Sequence, residues 1–202
     1  MSSNRWLSRQ SNDPYVRRAR EQGYRARAAF KLIELDDKHR FLRRGRRVVD
    51  LGAAPGSWSQ VAAERVGEPG RVVATDVLEI EPMPGVEIVR GDFRDTDVLA
   101  HLERTVGGHV DLVLSDMAPN ISGVAASDQA RSMDLAELAL AFASDWLEPD
   151  GVFVVKLFQG EGFDEFMARA RAAFARVKLR KPGASRRQSR EIYLVAGSRR
   201  AM

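Results

Sequence analysis

The sequence predicts a doubly wound α/β fold, and three observations carry that prediction. Residues 48–60, VVDLGAAPGSWSQ, run from a short apolar strand through a glycine-bearing loop into an amphipathic helix. That turn is how α/β folds bring a ligand close to the backbone. Strand-length apolar segments then alternate with helix-length ones, until two strand segments close the chain with no helix between them. Finally, Asp50, Asp76, Asp92 and Asp116 each fall at or just beyond the end of a different strand. Five strand–helix steps and a terminal strand pair imply a sheet with its ligands at the strands' C-terminal edge.

Residues 1–12 are polar and are expected to be flexible. Asp13-Pro14 predicts a helix start, with Asp13 as cap and Pro14 in the first turn. That helix should end near Gly23, and a second should run from about Arg25 to His39. The basic turn Arg43-Arg44-Gly45-Arg46-Arg47 leads into the first strand, 48–51. Further strands are expected at 71–75, 86–90 and 111–115. A long helix over 127–147 leads through Pro149-Asp150-Gly151 to a strand at 152–158. A helix over 162–175 and strands near 177–181 and 191–196 complete the chain.

A length of 202 residues with 44% hydrophobic content suits one globular domain. Its expected parts are basic N-terminal helices over 13–47 and a catalytic core over 48–196. No stretch approaches the ~20 apolar residues that span a bilayer, and the start lacks the apolar core of a signal peptide. A soluble, cytoplasmic protein that is no membrane partner is expected, and a monomer. The chain has no cysteine, which excludes disulfides, thiolate metal sites and a thiol nucleophile. Its three histidines, His39, His101 and His109, are scattered, so no metal site is expected.

The net charge of +4 conceals a strong asymmetry: residues 1–47 carry +9, 48–175 carry −13 and 176–202 carry +8. Basic ends flanking an acidic core suit a clamp on a phosphate backbone, so nucleic acid is the expected partner. Arg25 and Arg27, ahead of Lys31 on the expected second helix, are candidate phosphate contacts. Lys181, Arg186, Arg187 and Arg190 are candidates for the other side.

The glycine loop narrows the chemistry. Its spacing, Gly52-x-x-x-Gly56, departs from the Gly-x-Gly-x-x-Gly pattern that cradles a dinucleotide pyrophosphate, which disfavours a dinucleotide oxidoreductase. An acid at the strand tip beside a glycine bend suits a cofactor that lacks phosphate and carries positive charge, and S-adenosylmethionine fits. Asp76, ending the second strand, suits both ribose hydroxyls, and Asp92 the adenine amino group. Trp58 offers an apolar face beside the loop, or a place in the core.

Asp116-Met117-Ala118-Pro119-Asn120 lacks the proline pair and aromatic residue used in amine methylation. Carbon-5 pyrimidine methylation needs a cysteine, so oxygen methylation remains. Lys156 stands out within the apolar strand GVFVVKLF, where an ammonium is costly unless paired. Asp116, on the neighbouring strand of the expected sheet, is its obvious partner. Lys31 should share a helical face with Arg27 and Glu34, and Glu191 is the only acid in the basic last segment.

These residues carry a family resemblance. SSNRWL, YRARAAFKL, VVDLGAAPGSWSQ, GDFRD, DMAPN, VVKLFQGEGF and ASRRQSREIYLVA occur in order from about Arg5 to the last strand. The chain resembles the FtsJ/RrmJ (RlmE) family of ribosomal RNA 2′-O-ribose methyltransferases. The resemblance implies a seven-stranded Rossmann-like methyltransferase sheet with its last strand antiparallel. It implies S-adenosylmethionine as cofactor, and a uridine ribose of 23S ribosomal RNA within the assembled large subunit as substrate. The family's Lys-Asp-Lys-Glu tetrad falls on Lys31, Asp116, Lys156 and Glu191. Its cofactor positions fall on Gly56, Trp58, Asp76, Asp92 and Asp116. One departure is Ser57, where the family commonly has glycine; serine there can cap the following helix. Ribose methyltransferases of transfer RNA or of the messenger cap use a similar tetrad and form the alternative. A non-catalytic RNA-binding factor would be expected to lose the tetrad lysines.

Overall fold

The computed structural model describes residues 13–200; the expectation for 1–12, with the SSNRWL segment, lies outside the described residues. In chain order the elements are α1 (Pro14–Glu21), α2 (Ala29–His39), β1 (Arg47–Leu51), α3 (Ser57–Val66), β2 (Arg71–Asp76), β3 (Val86–Arg90) and α4 (Thr96–Val106). There follow β4 (Val110–Ser115), α5 (Ala125–Trp146), β5 (Leu147–Phe158), α6 (Phe163–Ala173), β6 (Phe174–Arg180) and β7 (Glu191–Arg199). The strands form one sheet in the order β3-β2-β1-β4-β5-β7-β6. Strands β1 to β5 are parallel, and β7 inserts antiparallel between β5 and β6. The expected doubly wound, seven-stranded sheet with an antiparallel last strand is present.

Alternation along each strand divides the core between the two faces of the sheet. Val49, Leu51, Val113, Phe153, Val155 and Leu194 pack with residues of α4, α5 and α6. Val48, Leu112, Leu114, Val154, Tyr193 and Val195 pack on the other face with residues of α2 and α3. Among the described residues no helix is long and apolar enough to cross a membrane, and no group of three or more metal-ligating side chains is placed to hold an ion.

The structure moves several expected boundaries. Helix α1 begins as expected, with the Asp13 side chain accepting from the Tyr15 N–H at 3.0 Å. Helix α2, however, starts at Ala29 and not at Arg25. The amide of Gln60, on α3, accepts from the Arg25 N–H and donates to the Gly23 carbonyl. Those bonds hold the preceding backbone out of a helical ladder, so Arg25 and Arg27 occupy the turn before α2 and not the face of Lys31. Strand β5 starts at Leu147, earlier than expected, because Pro149-Asp150 is taken into the strand where its register with β4 shifts. Helix α6 passes directly into β6 at Phe174. The cap of α3 is Gly56, in the left-handed region at φ 100°, and the Ser57 side chain makes no cap bond. The expected serine cap is thus replaced by a backbone bend open to glycine.

Candidate active site

Strand parity assembles the site. Asp116 continues the alternation of Leu112 and Leu114, Lys156 that of Val152 and Val154, and Glu191 that of Tyr193 and Val195. All three therefore face the same side of the sheet as α2, which carries Lys31. Register completes the arrangement. Ser115 pairs with Val155, which sets Asp116 beside Lys156, and Glu191 pairs with Phe158 at the same edge. Only an antiparallel β7 brings the start of that strand, and so Glu191, to the edge where β1, β4 and β5 end.

Two ion pairs result. Lys156 Nζ donates to the Asp116 backbone carbonyl at 2.6 Å and lies 3.1 Å from Asp116 Oδ1, with its side chain 7% exposed. Lys31 Nζ lies 3.0 and 3.1 Å from the two oxygens of Glu191, with side chains 12% and 11% exposed. Tyr193 stands between them. Its hydroxyl donates to Asp116 Oδ1 at 2.7 Å, and Lys31 Nζ is 5.6 Å from its ring centroid. Burial, then the Asp116 and Glu191 charges, push the Tyr193 phenol well above its ordinary pKa, which keeps it a donor. Each lysine makes one hydrogen bond, to the Asp116 carbonyl or to Glu191, and an ion pair with the same partner, so each ammonium keeps donor capacity for a ligand. Sequence reasoning missed Tyr193; its alternation with Glu191 along an expected strand was the available signal.

Beside the pairs lies a cleft of about 420 Å³, lined at successive strand ends by Gly52, Asp76, Asp92 and Asp116 and roofed by Met117 and Leu78. The Asp76 carboxylate accepts from the Ala54 N–H at 2.9 Å and the Leu78 N–H at 2.8 Å, so it also fixes the loops around the cleft. Asp92 is held by Arg94 through side-chain and backbone bonds, led by the Arg94 side chain, which lower its pKa. Gly52, at φ 68°, could carry no side chain: a Cβ there would fall 2.1 Å from Met117.

Asp50 is fully buried and accepts from the Ser59 hydroxyl at 2.6 Å, while its Oδ1 has no partner. Burial, with added repulsion from Asp116 and Asp76, lifts its pKa to about 7. It lines a small cavity of about 40 Å³ beneath the glycine loop, together with Trp58 and Asp116. Trp58 itself is a core residue, packed near Tyr193 with its indole N–H donating to the Ala28 carbonyl at 2.9 Å. It lines the small cavity beneath the glycine loop and not the larger cleft.

The basic candidates divide. Arg186, Arg187 and Arg190 are exposed on the 181–190 loop and, among the described residues, make no ion pair. Glu34 pins that loop by accepting from the Ala184 N–H at 3.1 Å. Arg27 pins it too, pairing with Asp13 and donating to the Ala184 carbonyl. Arg27 is thus a half-buried bracket between the cap of α1 and the loop. Lys181 donates to the Ser189 carbonyl at 2.7 Å across the same loop. Arg25 donates to the Pro55 and Pro82 carbonyls at 2.9 and 3.1 Å, which braces the glycine loop. The placement of both residues on the helix of Lys31 is therefore corrected.

A doubly wound sheet with an acidic cleft at its strand ends and a paired-lysine cluster beside it defines a group-transfer enzyme of the Rossmann-like type. The chain belongs to the FtsJ-like methyltransferase family, whose model matches residues 24–199. It is 58% identical over 195 residues to the ribosomal RNA large subunit methyltransferase E of Azoarcus sp., covering 96% of this chain and 95% of that one. Identity to the protein of the same name from Pseudomonas aeruginosa (strain PAO1) is 52% over 196 residues, covering 96% and 95%. A crystal structure described as a ribosomal RNA methyltransferase from Plasmodium falciparum superposes with a TM-score of 0.77 at 30% identity, covering 87% of this chain and 98% of that one.

Proposed function

We propose that the protein methylates the 2′-oxygen of a uridine ribose in 23S ribosomal RNA of the assembled large subunit, with S-adenosylmethionine as methyl donor. One observation carries this reading: two lysine–carboxylate pairs share one face of the sheet at the rim of an acidic cleft. The names of the relatives support a ribosomal RNA substrate, which would place the work in the cytoplasm.

The residues present fit the cofactor. The partnerless Asp50 Oδ1 lies under the glycine loop, where a cation would satisfy it. Asp76 keeps free lone pairs for ribose hydroxyls, and Asp92 can serve an adenine amino group. When bound, S-adenosylmethionine supplies an electrophilic methyl group on a sulfonium. Gly56 and the start of α3 would hold its methionine end. Lys156, fixed by Asp116, would donate to the ribose 2′-oxygen, orienting it and steadying the charge that builds there as the oxygen–methyl bond forms and the hydroxyl proton passes to solvent water. Lys31, fixed by Glu191, would hold the nucleotide from the α2 side. Arg186, Arg187 and Arg190 would grip nearby phosphates.

The test is to map ribose methylation across total RNA from cells with and without the gene. Loss at one large-subunit uridine is the expected result. Loss at a transfer RNA or cap nucleotide with ribosomal RNA unaffected would overturn the substrate assignment.

A further inference from the structure

The catalytic rim does not account for the basic turn at 43–47. That turn meets the opposite end of the sheet, where a concave basin of about 460 Å³ is lined by His39, Arg40, Arg43, Arg46, Arg176 and Lys178. One carboxylate, Asp150, also lines it. Glu148 pairs instead with Arg47, and Asp36 with Arg65. Among the described residues none of the five basin arginines and lysines makes an ion pair. Arg40, Arg43, Arg176 and Lys178 are exposed, and the Nη1 of Arg46 is buried without a partner. A buried donor left unpaired is costly, so an acceptor from outside the chain is the natural completion. His39 reports the same field. Burial, then Arg180, Lys178 and Lys38, lower its pKa, and it accepts from the Arg180 Nε–H at 2.9 Å.

The basin is connected to the catalytic rim. β6 is an edge strand, and Val177 and Leu179 pack on its α5/α6 side. Arg176, Lys178 and Arg180 therefore alternate onto the other face, about 6.6 Å apart. They form a line of cations that runs from the basin to Lys181 and the exposed arginines of the 181–190 loop. A compact small anion would need only the basin; a polyanion is needed to use the whole line.

We infer that this basin and the β6 ladder form a second docking surface for the phosphate backbone of the substrate RNA, engaging an element remote from the nucleotide that is methylated. The inference rests on the RNA substrate proposed above. It assigns Arg40, Arg43, Arg176 and Lys178 to substrate grip and gives them no part in methyl transfer.

The quadruple substitution Arg40→Gln/Arg43→Gln/Arg176→Gln/Lys178→Gln tests it. Binding of protein-free large-subunit ribosomal RNA is measured over a salt series, and methylation kinetics with large subunits from cells lacking the gene. The log–log salt slope should fall by about three, for four lost phosphate contacts. KM for subunits should rise by roughly tenfold or more, with kcat and cofactor affinity within about twofold of the parent. Cofactor affinity at the parent value also shows that the variant is folded. An unchanged slope and KM would overturn the inference. Weakened subunit binding with an unchanged slope on protein-free RNA would overturn it in favour of an acidic ribosomal protein. If the unsubstituted enzyme fails to methylate large subunits, the functional reading falls, and the salt slopes still decide the basin.

Discussion

The two ion pairs of the site use the same chemistry on different mounts. Lys156 lies within β5 and Asp116 directly follows β4, its parallel neighbour, and the pair is held by a backbone carbonyl, a carboxylate oxygen and the Tyr193 hydroxyl. Lys31 and Glu191 join a helix to a strand start 160 residues away, and each lysine–carboxylate contact is made by side chains alone. Ladder pairing with Tyr193 fixes Lys156, and the pairing of Ser115 with Val155 sets Asp116 beside it. The second depends on the seat of α2, which is packed on the sheet and tethered through Gln60 and Arg27. A donor mounted within the sheet suits the proposed reacting oxygen, where misplacement is most costly, and one mounted on a helix suits the proposed hold on the nucleotide around it.

That contrast predicts unequal losses. Lys156→Ala should lower kcat by about 10³-fold or more, as expected for removal of a group acting on the reacting atom, with cofactor affinity within a few-fold. Lys31→Ala should lower it by about 10- to 100-fold and raise KM for the RNA. Single-turnover methylation of large subunits measures both. Equal losses in kcat with unaltered KM would erase the distinction between the pairs.

The cofactor side sharpens the comparison, because Asp76 has two tasks. Asp76→Ala removes a proposed ribose acceptor and frees the Ala54 and Leu78 amides. Calorimetry should show cofactor binding weakened by about 1–3 kcal/mol. Affinity equal to that of the parent would refute the ribose role.

Tyr193→Phe probes the link between the pairs. Removing its hydroxyl leaves Asp116 Oδ1 with Lys156 alone, so Asp116 should be held in place less well. We expect kcat to fall by roughly tenfold with cofactor affinity unchanged, the loss of about one hydrogen bond to a charged group. A stability loss with an unaltered rate would reduce Tyr193 to a core residue.

How much of this was legible depended on the range of the interactions involved. The fold came from period-two alternation and loop chemistry, both local, and Asp50, Asp76, Asp92 and Asp116 could be placed from strand ends alone. Lys156 was visible because a charge in an apolar strand demands a partner, and the sheet order supplied Asp116. Lys31 and Glu191 carried no such signal, since a helix-surface charge and a strand-opening acid are ordinary; only the family resemblance singled them out. The start of α2 was misread because the deciding bonds come from Gln60 on another helix. The same long range hid the work of Arg25 and Arg27, whose partners lie in the glycine loop and the 181–190 loop. Trp58 reads as pocket or as core, and it borders both, packed near Tyr193 while lining the small cavity beneath the glycine loop.

The smallest expected effect lies beneath the glycine loop. With its pKa lifted to about 7, Asp50 holds a proton in the folded protein that an unfolded chain would release near the ordinary carboxyl value of 3.8. Its contribution to stability is therefore complete below about pH 4 and is lost as pH rises through about 7. Asp50→Asn mimics the protonated form, so it should gain in thermal midpoint relative to the parent as pH is raised from 5 to 8. The proposed cofactor acts in the opposite sense, because its positive charge favours the ionised carboxylate. Binding at pH 6.5 should then expel a fraction of a proton, read by calorimetry in buffers of different ionisation enthalpy. Affinity should rise a few-fold between pH 6 and pH 8, and the Asn variant should show neither the proton release nor the rise. Proton release that persists in Asp50→Asn would assign the titration to another group, and Asp50 would be left as a buried anchor for Ser59 alone.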